Sequence, residues 1–183
     1  KGTENVSVPD YVEAYLSNTP VKGITPLQVA DNILKNADIA LNWAEKQNLA
    51  NSSELRITID DIKTMAWLGK YYAHKIKAAT FLAIFRESLQ KEWQDKTIEE
   101  LNASAGYWRH YATLALSNYQ NPLWTNRVGH VDWKENFQWA IYEVISNGGK
   151  LNMPSMQPTH GGTILEAEDI CTDPSLIDSK MDG

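Results

Sequence analysis

Trp124, Asn126, Arg127, His130, Asp132 and Trp133 fall within one short stretch, NYQNPLWTNRVGHVDW at 118–133. A pyranose stacks its C–H face on an indole ring while amides, guanidinium and carboxylate groups take its hydroxyls, so these six residues have the composition of a sugar platform. The same stretch allows a plainer role, in which Trp124 and Val128 fold back to seal the end of a helical bundle and Arg127 pairs with a helix-terminal carboxylate. Which of the two holds turns on whether Trp124 points outward or inward.

Other chemistry is poorly represented. The histidines, His74, His110, His130 and His160, are far apart in sequence, and none follows a Glu at three positions, so the di-iron Glu-x-x-His signature is missing. His74 and His110, each beside tyrosines, could face one another between two helices as a histidine-centred site; hydrogen-bonded core histidines are the alternative. There is no G-x-S-x-G elbow. Asp60, Asp61, Glu99, Glu100, Asp132 and Glu135 all sit at expected helix starts, where capping and dipole complementarity explain them without a glycosidase carboxylate pair. No catalytic residue, metal ligand or cofactor is therefore assigned.

The elements that would position the 118–133 stretch are helical. Thr25, Pro26 and Gln28 form a capping-box start, and the apolar spacing from Leu27 to Ala44 predicts a helix to about Gln47. A longer helix is expected from about Asp60 to Trp93, its two apolar stripes marking it as central. Thr97 with Glu100 reads as the capping box of a third helix, ended by Asn121-Pro122 because the residue before proline avoids the helical region. Asp132 with Glu135 opens a shorter fourth, closed by Gly148 or Gly149 in the left-handed conformation. The expected fold is all-α: an up-down bundle of three long helices plus a shorter fourth at 25–149, with an irregular leader at 1–24 in which only a short piece around DYVEAYL is helix-capable, and a linker and strand-like tail at 150–183.

Seventeen Lys and Arg against 23 Asp and Glu give a net charge of −6 with no basic block, which argues against a nucleic-acid partner. The most apolar run, AATFLAIF, is far short of the roughly 18–20 residues needed for a membrane span. A single cysteine, Cys171, excludes an internal disulfide and a cysteine-based zinc site.

GGTILEAED at 161–169 resembles the opening strand of family 6 or family 35 carbohydrate-binding modules. The helical region before it, with YYAHKIKAATFLAIF and NYQNPLWTNRVGHVDW, resembles the helical segment that follows the barrel in large secreted glycoside-hydrolase-like proteins of gut Bacteroidetes, grouped with carbohydrate-binding family 6. The resemblance spans roughly residues 25–170. It implies a non-catalytic accessory domain of an extracellular or periplasmic protein, whose partner is a polysaccharide or a neighbouring catalytic domain of glycoside-hydrolase type. First-strand acids of such modules help hold calcium, and these would correspond to Glu166 and Glu168; the stretch after Glu168 is too short for a jelly roll, so no calcium site is expected in this chain. Two other functions are compatible with the residues: a small all-α enzyme centred on His74 and His110, and a protein–protein interaction module marked by an exposed apolar face on the second or fourth helix.

Overall fold

The computed structural model describes residues 4–47, 53–126 and 129–153. These residues form an all-α helical bundle with five helices and one small two-stranded sheet among them: α1 Val8–Leu16, α2 Pro26–Glu45, α3 Ser53–Ser88, α4 Lys91–Asn118, β1 Leu123–Thr125, β2 Gly129–Val131 and α5 Trp133–Ser146. The central helix, α3, packs against α1, α2 and α4, and α5 lies on α4.

The helix ends follow local chemistry. At α2, Thr25 Oγ1 accepts from the Gln28 N–H and Gln28 Oε1 accepts from the Thr25 N–H, with Pro26 in the first turn, so the expected capping box is formed. Asp132 Oδ1 accepts from the N–H groups of Lys134 and Glu135 and starts α5 as expected. At the far end of α5 the Gly149 N–H bonds to Val144 O and the Gly148 N–H to Ile145 O, a Schellman closure with Gly148 at φ +84°.

Several boundaries depart from the sequence reading. The central helix begins at Ser53 rather than about Asp60, so Asp60 and Asp61 lie inside it and not at its start. The central helix ends at Ser88 and the next begins at Lys91, so the Thr97–Glu100 pair lies inside α4 and caps nothing. Thr97 Oγ1 donates to Trp93 O in the preceding turn, and Glu100 pairs with His74. The chain turns instead at Leu89, which adopts φ +55° although it carries a side chain. Within the leader, the helix-capable piece DYVEAYL forms α1. Ser7 caps it by accepting from the Asp10 N–H, Val12 is buried, and Tyr15 meets Trp93 edge-on with ring centroids 5.5 Å apart. A bridge between Asn5 and Ile24 closes the segment on itself.

The main core cluster lies between α4 and α5 and contains Ala105, Trp108, Ala112, Trp133, Phe137 and Ile141. Alanines on α4 let the helices approach closely, and the indoles fill the space beyond them. Leu151 and Met153, just after α5, pack against the same cluster. Of the expected linker and tail, residues 154–183, with His160, Glu166, Glu168 and Cys171, lie outside the described residues. Among the described residues, no helix is long and apolar enough to cross a membrane.

Candidate functional site

After α4 the chain forms a β-hairpin where the sequence suggested only a loop. β1 and β2 pair antiparallel, with Leu123 opposite Val131, Trp124 opposite His130 and Thr125 opposite Gly129. Side chains alternate across a strand pair, so the register decides the orientation of Trp124. Leu123 and Val131 pack on the core cluster, while Trp124 is 71 % exposed and His130 is exposed beside it. The seal of the bundle end is thus made by Leu123 and Val131, and Trp124 faces outward.

Asn121 clamps the base of the hairpin: its side-chain amide donates to Asp132 Oδ1 at 3.0 Å, and its carbonyl oxygen accepts from the Trp133 N–H at 3.0 Å. Burial pushes the Asp132 carboxyl upward. The hydrogen bonds from Asn121, Glu135 and Lys134, with the charge of His130, outweigh that and hold it below the ordinary carboxylate range.

The six sequence candidates therefore divide. Trp124, His130 and Asn126 are exposed on the hairpin. Asp132 is occupied as the helix cap. Trp133 is a correction to the platform, since it is 4 % exposed and its indole N–H donates to the Tyr111 hydroxyl. The spacing that puts Trp133 next to the cap also places it in the first turn of α5, on the side that meets α4. Arg127 and Val128 lie outside the described residues.

A second feature is a cleft of about 710 Å³ along α4, walled by Trp67 and Lys70 of α3 and reached by Asn152 after α5, between the two helices where a histidine-centred site was expected and lined by one of its two histidines, His110. The α4 residues that line it, from Asp95 through Glu99 and Gly106 to His110, recur every three or four positions. Trp67 stacks on His110 at 4.5 Å and on Tyr107 at 5.8 Å, and the Lys70 ammonium sits 5.1 Å from the Tyr107 ring. Burial, then the charges of Arg109 and Lys70, hold the His110 imidazole below its ordinary range, so it is neutral at pH 7. The i, i+3/i+4 recurrence could have been found in the sequence; the cross-helix partner Trp67 could not.

The expected His74–His110 site does not assemble. His74 Nδ1 lies 2.5 Å from Glu100 Oε2 and its ring stacks on Tyr107, while His110 lines the cleft and His74 does not. Each histidine has found its own partner on the facing helix. No group of three or more His, Cys, Asp or Glu side chains that could hold a metal ion occurs among the described residues.

Compared with family models, curated proteins and solved structures, the chain matches none.

Proposed function

We propose that this chain is a non-catalytic helical accessory domain of a secreted, polysaccharide-acting protein, with the β1–β2 hairpin turned toward the glycan. The observation that carries this reading is the outward Trp124, with His130 directly across from it and Asn126 exposed beyond it. An indole on the solvent side of a two-stranded ribbon adds little to the core and is well placed to stack on a sugar ring. In this reading α2 to α5 form an up-down bundle that acts as spacer or wall beside a catalytic neighbour. The pairing of Asp60 with Asn118 and of His74 with Glu100 supports opposite directions for α3 and α4.

A glycan array followed by calorimetric titration of the best ligand tests the proposal. Binding should be at least about tenfold weaker in Trp124→Ala, a loss of roughly 1.4 kcal/mol. Equal binding by the variant would remove the hairpin from the site, and absence of any glycan ligand would remove the reading.

A second reading, an interaction module docking on a neighbouring domain, is favoured by the groove between α2 and α3. Its lining is mostly apolar, including Ile33, Ala37, Ile62 and Met65, with Ile39, Trp43 and Tyr72 also exposed on these helices. Co-purification with the neighbouring domain of the parent chain, lost in Met65→Asp, would distinguish it.

A further inference from the structure

The aromatic side chains of this protein fall into two groups by what their polar atoms do. In the core, the Trp108 indole N–H donates to Trp133 O at 3.1 Å and the Trp133 indole N–H to the Tyr111 hydroxyl at 3.0 Å. Polar handles on largely buried rings ordinarily find such partners. In the α3–α4 cleft they are left open to solvent: the Trp67 indole N–H, the Tyr107 hydroxyl and the His110 ring nitrogens bond to no other described residue, and none is among the buried atoms without a partner. Three partly buried rings thus border one cleft with polar atoms that a ligand could take in exchange for water.

The charges around the cleft are largely balanced. Lys70 is paired with Asp38 at 2.5 Å, and Asp95 with Lys91 at 2.9 Å. Of the three Lys, Asp and Glu side chains in the lining only Glu99 has no ion-pair partner, and it is exposed. A charged ligand would find no strong unpaired counter-charge here, whereas an uncharged one loses little. The lining also includes Ile98, Ala103 and Gly106, whose small or apolar side chains leave room beside the rings. From Asp95 to His110 the cleft follows α4 for roughly 22 Å, at 1.5 Å per residue.

We propose that the α3–α4 cleft is a second binding site, separate from the hairpin, for a short uncharged oligosaccharide, held by hydrogen bonds to Trp67, Tyr107 and His110 and by apolar contact with Ile98 and Ala103. Hydroxyl groups both donate and accept, so they match an indole donor, a phenol and a neutral imidazole together. The cleft rests on its own observations and does not require the hairpin to bind.

The test is a titration of the full chain with unbranched tetrasaccharides of glucose, mannose and xylose, following the Trp67 indole resonance by NMR. At least one should shift that resonance saturably, with a dissociation constant of about 1 mM or tighter. Ala103→Phe, which fills the cleft, should abolish the shift, and Tyr107→Phe, which removes only a hydroxyl, should weaken binding about 3- to 10-fold. No saturable shift with any of the three sugars, or full-strength binding by a folded Ala103→Phe or Tyr107→Phe chain, overturns the proposal. Binding that disappears in Trp124→Ala but persists in the cleft variants assigns the sugar to the hairpin alone.

Discussion

Trp124 and His130 face each other across the β1–β2 hairpin on the side turned away from the core, one residue from Leu123 and Val131, which face inward. One step of register therefore separates an exposed indole from a bundle plug.

Because Trp124 is 71 % exposed and Trp133 is 4 % exposed, the two indoles should respond oppositely to truncation. Trp124→Ala should change unfolding free energy by less than about 0.5 kcal/mol. Trp133→Ala should cost about 3–5 kcal/mol, since it opens a cavity and leaves the Tyr111 hydroxyl without its donor. Urea unfolding of both variants checks this, and a large loss from Trp124→Ala would contradict its outward orientation.

Leu89 holds a left-handed conformation at φ +55° and is 78 % exposed. Glycine adopts that conformation without the clash between Cβ and carbonyl, and little packing is lost at so exposed a position. Leu89→Gly should raise stability by about 0.5–1 kcal/mol, read as a higher denaturant midpoint at unchanged slope.

At Gly149 the close approach has the reverse effect. A Cβ there would stand 2.6 Å from Ile98 Cγ2 and 2.9 Å from Val144 O, so Gly149→Ala must push α5 and α4 apart locally. A loss of about 1–3 kcal/mol is expected by thermal or urea unfolding. A neutral result would mean that this junction yields readily.

His110 gives stability a pH dependence with a definite sign. Its folded-state affinity for a proton is depressed below the ordinary value of 6.5, so on acidification the unfolded chain binds the proton first. The stability associated with the neutral ring is present above pH 6.5 and is lost as pH falls from there toward the folded value. The melting temperature should decline across that window, and His110→Gln should flatten the decline. An unchanged slope in the variant would place the titration elsewhere.

How much of the structure is legible in the sequence depends on whether a signal is local. The caps at Thr25 and Asp132 and the Gly148 terminus are local and can be read directly. The break at Leu89 cannot, because a residue with a Cβ carries a conformation usually marked by glycine, and Thr97–Glu100 offers a capping pattern in the wrong place. DYVEAYL reads as helix-capable, but Val8-Pro9 hides where α1 starts, since a proline near a helix start resembles loop punctuation until Ser7 is seen to cap it. At the site, the concentration of Trp, Asn and His in 118–133 is plain. Its division into inward Leu123 and outward Trp124 needs the hairpin register, and the cleft needs Trp67 brought across from another helix.

Asn102 of α4 donates to Lys150 O and accepts from the Asn152 N–H, while Leu151 between them packs on the core. The backbone leaving α5 is thereby stitched to a neighbouring helix over residues 150–152, where a free swivel would otherwise begin. Through residue 152 the path of the chain is thus fixed, and a load applied to this segment would be borne by α4 through Asn102 as well as by the last turn of α5.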